Sequence, residues 1–291
     1  MTAEGADKPL SKTPLPAVVR GRARLGPSEA AVYETFVVPR YMALFGDLAL
    51  EMLVDSDDAQ VVHLHCRTGY PDRGVAMRLR GAHLVGVDGS LAALELARTK
   101  AATMPDMVSQ YRFVPDLPTS LPASAFSHAL IMHALGVPND RSAQLLECAR
   151  LLAANGQVIV TMPLRGSFQE LGDLLREYAL KFDDPSIEQA VDGAELDRPT
   201  IEGLGQELQE VGFDFVELEQ RPTTVRFHRG RDFFEDPIAR LVILPELRLE
   251  LGLEGRPEPL AYVRDAIDTY WSDGSFELTV NVGCATGRKV G

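Results

Sequence analysis

Val61-Val62-His63-Leu64-His65-Cys66-Arg67-Thr68-Gly69-Tyr70-Pro71 starts as a short apolar run and breaks off at a glycine and a proline. A run of this length bounded by turn residues reads as a buried strand that ends in a turn. After a stretch suited to a helix, Val75 to Leu79, the run His83-Leu84-Val85-Gly86-Val87-Asp88 repeats the pattern. Gly89-Ser90 follows, and Ser90 is placed to cap a helix from Leu91 to Lys100 whose leucines and alanines share one face. Strand, helix, strand, helix is thus the local grammar.

The rhythm continues outward. Gln110 to Val114 and Phe126 to Met132 read as strands, Asn139 to Leu152 as a helix, Asn155-Gly156 as a turn and Gln157 to Met162 as a strand. Buried strands alternating with helices predict an α/β fold: a doubly wound, mostly parallel sheet with helices on both faces. Right-handed crossovers then put the strand-end loops at one edge, where open sheets bind ligands.

Further on, Ile201 to Val211 predicts a helix, Gly212-Phe213 its stop and Asp214 to Glu219 a strand. Phe233 to Ala266 predicts helices and Phe276 to Val282 a final strand. Towards the start, Val32, Phe36, Tyr41, Leu44, Leu48 and Leu53 recur at helical spacing, with Pro39 predicted to break the stripe into two helices. Residues 1–16 read as a flexible tail and 17–291 as one domain. Its core covers about 55–220, a helical insertion about 221–275 and a closing strand about 276–283.

Composition narrows the partners. With 45% hydrophobic and 24% charged residues the chain has the material for a sizeable core. A net charge of −13 repels phosphate backbones and anionic lipid, so nucleic acid is not expected as a partner. Arg226, Arg229 and Arg231 around His228 read as a solvated loop. No apolar stretch reaches the roughly 18 residues of a membrane helix, so no membrane insertion is expected. Cys66, Cys148 and Cys284 lack any paired spacing, which fits a cytoplasmic setting. His63, His65, His83, His128 and His133 lack the carboxylate or cysteine spacing of a metal centre, and no metal is expected.

The order of features resembles the class I S-adenosylmethionine-dependent methyltransferases, with their Rossmann-like fold, over roughly residues 28–220 and again at the closing strand. Asp88 ends the second strand where the family carries the acid for the cofactor's ribose, and it follows Gly69 at the spacing expected of such acids. Asp116, with Leu121-Pro122 and Phe126, matches the third-strand region where an acid approaches the adenine. Ala149-Arg150-Leu151-Leu152 with Asn155-Gly156, and Glu210-Val211-Gly212-Phe213, match later turns. The resemblance implies S-adenosylmethionine as cofactor, with His65, Arg67, Gly69, Asp88 and Asp116 at its site.

The first loop departs from the family pattern, in which an acid precedes three alternating glycines. His63 stands for the acid, His65 and Arg67 for the first two glycines, and Gly69 alone survives. Glycine there supplies left-handed backbone and close approach to the ligand; a side chain in that conformation costs about 1–2 kcal/mol. Arg67 is expected to reach Asp88 through its guanidinium and to fill the methionine-ribose region. His133, just after the fourth strand, is the candidate catalytic residue, against ordinary loop packing. Two functions stay open: a methyltransferase acting on a small molecule or carrier-bound group, with residues 164–200 and 221–275 as substrate cover, and a catalytically silent relative serving as an interaction or regulatory module. Substrate, protein partner and oligomeric state are not legible, a homodimer among the options.

Overall fold

The computed structural model describes residues 24–104, 107–272 and 274–291. The expected tail, residues 1–16, lies outside them. Three segments lead in: α1 (Pro27–Val32), a π-helical stretch (Tyr33–Met42) and α2 (Ala43–Glu51). The alternating body follows as β1 (Gln60–Leu64), α3 (Asp72–Arg78), β2 (His83–Asp88), α4 (Leu91–Ala101), β3 (Val108–Phe113), β4 (Phe126–Ile131), α5 (Pro138–Leu151) and β5 (Leu152–Pro163). Then come α6 (Gln169–Phe182), α7 (Pro185–Asp197), α8 (Ile201–Glu210), β6 (Phe213–Phe227), α9 (Leu244–Glu250), α10 (Glu258–Tyr270) and β7 (Phe276–Lys289).

The seven strands form one sheet in the order β3-β2-β1-β4-β5-β7-β6. β1 to β5 pair in parallel, and β7 runs antiparallel to both β5 and β6. The strand order reverses between β1 and β4, which makes the crevice above their carboxyl ends the natural ligand position. β1 is buried from Val61 to Leu64, as a central strand covered on both faces must be. On one face Val61, Leu84, Leu130 and Ile159 pack with Phe45, Leu48 and Val75; on the other Val62, Ile131 and Val158 pack with Leu145, Cys148, Leu204 and Leu208.

Several boundaries differ from the sequence reading: β5 begins at Leu152 and runs through the expected Asn155-Gly156 turn, β3 begins at Val108 rather than Gln110, and β7 continues to Lys289 rather than Val282. Pro39 does not break the leading helix, because the chain around it winds as a π-helix. A wider turn moves the hydrogen-bond partner back by one residue and relieves the clash proline makes in an α-helix. β6 runs on through Phe227 rather than ending at Glu219. As an edge strand it is mostly solvent-exposed, so it shows little alternation, and β7 fixes it by pairing from Phe213↔Lys289 to Phe227↔Phe276. β1 stops at Leu64 rather than Cys66, since His65 turns left-handed at φ 55°. The helix cap at Ser90 is as expected: its hydroxyl accepts from the Ala93 amide at 3.3 Å.

Candidate functional site

The loop leaving β1 keeps a glycine-like path although two glycines are missing. His65, Arg67 and Gly69 have φ of 55°, 48° and 76°, all left-handed. For the first two this costs about 1–2 kcal/mol each. Gly69 has a second reason to be glycine: a Cβ there would lie 3.1 Å from Ala97 Cβ and 3.2 Å from both Asp72 Oδ2 and Tyr111 Oη.

Asp88 and Gly69 sit at the same sheet edge, as the βαβ reading required, because β1 and β2 are parallel neighbours. The backbone also joins loop and acid, a contact that the sequence reading did not foresee. The Arg67 backbone amide donates to Asp88 Oδ2 at 3.1 Å and the Ser90 amide to Oδ1 at 2.8 Å, leaving Asp88 3% exposed. The left-handed residue at 67 turns its own N–H towards the neighbouring strand end, so the backbone reaches the acid.

His63, in the place of the family's acid, faces into the sheet. It is fully buried, with Nδ1 2.6 Å from Asp72 Oδ1, while the Tyr111 hydroxyl donates to Asp72 Oδ2 at 2.9 Å. Burial, and then the Asp72 charge, push the Tyr111 phenol far above its ordinary range. His63 Nε2 is buried without a hydrogen-bond partner. Burial also raises the Cys66 thiol well above its usual value, so this cysteine is an inert packing group.

The leading helices close over the loop. Lys100 Nζ lies 2.6 Å from Glu34 Oε1 and donates to the Thr68 carbonyl at 2.9 Å. Ser90 Oγ donates to the Leu25 carbonyl at 2.8 Å, and Tyr70 packs where Gly46 leaves room, a methyl at Gly46 being impossible without moving that ring. A cavity of about 10 Å³ lies between Tyr33, Met42, His65, Arg67, Tyr70 and Met132. That is space for one water molecule at most.

His133 follows β4 with φ 57° and is 1% exposed. Its Nε2 lies 2.8 Å from Tyr41 Oη, its Nδ1 3.3 Å from Glu246 Oε1, and Phe45 meets the ring edge-on at 5.0 Å. Tyr41 comes from the π-helical stretch and Glu246 from α9, partners more than 90 residues away in either direction that no local pattern announces. Arg141 fixes the rest of this loop: it is buried, grips Glu207 with two bonds of 2.6 Å and donates to the Leu135, Gly136 and Asp197 carbonyls. On the same face of α9, Glu250 pairs with Arg198 at 2.5 Å.

Asp116 is exposed in the loop after β3, whose Pro115 passes beside Gly89. The histidines are dispersed. His128 bonds Ser127 and the Val54 carbonyl while His63 and His133 hold separate partners, and among the described residues no three metal-ligating side chains cluster. Among those residues no helix is long and apolar enough to cross a membrane.

Residues 63–160 match the family model described as a methyltransferase domain. Among curated proteins no sequence matches the chain. Solved structures resemble it in fold. One is a Bacillus halodurans C-125 protein described as a methyltransferase, with TM-score 0.53 and 16% identity, over 84% of this chain and 98% of that one. Another is phosphoethanolamine N-methyltransferase 2 of Haemonchus contortus. Its complex with phosphomonomethylethanolamine and S-adenosylhomocysteine gives TM-score 0.53 and 13% identity, over 93% of this chain and 59% of that one. Its complex with S-adenosyl-L-methionine gives 0.51 and 14%, over 91% and 58%. The fold is that of the class I S-adenosylmethionine-dependent methyltransferases, and the match to the methyltransferase-domain model falls on its residues 63–160.

Proposed function

We propose that this chain is a methyltransferase-fold protein whose cofactor site is closed, serving as an interaction or regulatory module. The observation that carries the reading is the Asp88 carboxylate: each oxygen already accepts a backbone amide, at 3% exposure. Two ribose hydroxyls would have to share those oxygens in a spot with almost no opening. The residues do not otherwise fit S-adenosylmethionine. His63 stands where the family has its acid, and the nearby Asp72 carboxylate is taken up by His63 and Tyr111; Arg67 carries a side chain where the family's backbone approaches the ligand. Titration with S-adenosylmethionine and S-adenosylhomocysteine tests this, and micromolar affinity overturns it.

A second reading, a methyltransferase acting on a small molecule or carrier-bound group, draws on one specific arrangement, Tyr41–His133–Glu246 at the carboxyl edge of β4. In that reading His133, hydrogen-bonded to the Tyr41 phenol with Glu246 nearby, would take up a proton while the fold aligned the reactants; alignment lowers most of such a barrier and a base is optional. The same titration separates the two, since the enzyme requires the cofactor and the module does not.

A further inference from the structure

A different cluster lies under the cover helices, outside the loops discussed above. Arg198, 7% exposed, follows α7 with its guanidinium 5.0 Å from the Phe168 ring centroid. One nitrogen donates to the Ser167 carbonyl at 3.3 Å and another to Glu250 Oε2 at 2.5 Å. Beside the pair is a cavity of about 30 Å³ walled by Leu175, Val191, Ala194 and Leu247. As it stands the cavity has room for no more than about two waters; a carboxylate with a short hydrocarbon body would fit against Arg198 and this apolar wall only once Glu250 and α9 give way. In the strand-to-helix connection beside it, the non-glycine Phe168 is held left-handed at φ 62°, a strained position. Such strain concentrates at ligand sites.

We propose that this pocket is a carboxylate-binding site in which the chain's own Glu250 stands where a ligand carboxylate would bind Arg198, so that a small carboxylate displaces α9. Glu250 is a poor occupant. It takes a single guanidinium N–H, whereas a free carboxylate aligns with two. Burial pushes its carboxyl up to about 7 despite Arg198, and Glu246 and Asp197 repel its charge while Arg141 opposes them only weakly. Displacement has a consequence at the sheet edge. Glu250 fills the space over Gly136, where a methyl would strike its Oε1, and Glu246 on the same helix face touches His133. Removing α9 therefore uncovers the loop after β4. The proposal is independent of whether the cofactor site is closed.

The experiment titrates the full chain at constant ionic strength with propionate and hexanoate, using hexanol as the uncharged control. Heat of binding and hydrogen exchange over residues 239–253 are followed. Expected are saturable binding in the millimolar range, faster exchange in that segment, and no response to hexanol. Glu250→Gln keeps the shape and removes the competing charge, so it should bind at least about tenfold more tightly; Arg198→Met should lose binding by at least about tenfold. Absence of saturable binding to the parent at about 100 mM, or a Glu250→Gln variant that binds no more tightly, overturns the proposal. The second outcome stands even if Arg198→Met does not fold.

Discussion

The Arg67 amide and the Asp88 carboxylate, 21 residues apart, are joined by a 3.1 Å hydrogen bond that ties the loop after β1 to the end of β2. Because the donor is backbone, the bond survives removal of the arginine side chain. Arg67→Ala and Asp88→Ala are therefore expected to be additive in stability, within about 0.5 kcal/mol. Asp88→Ala alone should cost about 1–3 kcal/mol, since it strands two amides in a nearly closed site. Denaturant unfolding of the two single variants and the double variant measures this. A coupling above about 1 kcal/mol would restore a side-chain plug.

His65 and Arg67 both hold a left-handed backbone that glycine adopts freely. Replacing both with glycine is expected to leave stability unchanged or raise it by up to about 1 kcal/mol per site, because the relieved strain offsets the greater freedom of the unfolded chain. It should also open the pocket enough for weak S-adenosylhomocysteine binding that the parent lacks. A glycine variant that unfolds more readily than the parent would show that these side chains hold the loop rather than merely tolerate it.

Tyr41 and His133 are each 1% exposed or less, so their 2.8 Å bond has no water to replace it. Tyr41→Phe removes only the hydroxyl and leaves His133 Nε2 without it. The expected loss is about 1–3 kcal/mol, read by thermal or denaturant unfolding. A loss below about 0.5 kcal/mol would mean the imidazole finds another partner.

Glu250 gives the chain a pH dependence of definite sign. Its carboxyl is raised from 4.5 to about 7 in the fold, mainly by burial, so the folded state holds a proton that the unfolded state has released between those values. Stability from this group is full below about 4.5 and is lost as pH rises through about 7. Glu250→Gln should flatten that part of the stability profile. A wild-type profile that instead climbs between pH 5 and 7, with no change in the variant, contradicts the assignment.

Much of the frame was legible because buried parallel strands write themselves as unbroken apolar runs, as Val61 to Leu64 and His83 to Asp88 do. The cap at Ser90 and the shared edge of Gly69 and Asp88 follow from the same local grammar. What was not legible is long-range or conformational. Nothing near Pro39 signals a π-helix, and the exposed strand through Phe227 has little alternation because its pairing with β7 alone defines it. The Arg67 amide that reaches Asp88 was missed, since side-chain chemistry is what a sequence displays; the left-handed turn that presents this N–H is a property of the folded loop. Tyr41, Glu246, Arg198 and Glu250 were missed for a similar reason. Each is an ordinary helix or loop residue until the cover folds onto the sheet.

The central claim is that the cofactor site is closed, and calorimetric titration of the full chain with S-adenosylhomocysteine tests it most directly. The account predicts no heat of binding and no thermal shift up to about 1 mM ligand, while the His65→Gly, Arg67→Gly variant responds in the same range. Micromolar binding to the parent chain would contradict it, and would return Asp88, His133 and Tyr41 to an enzyme's active site.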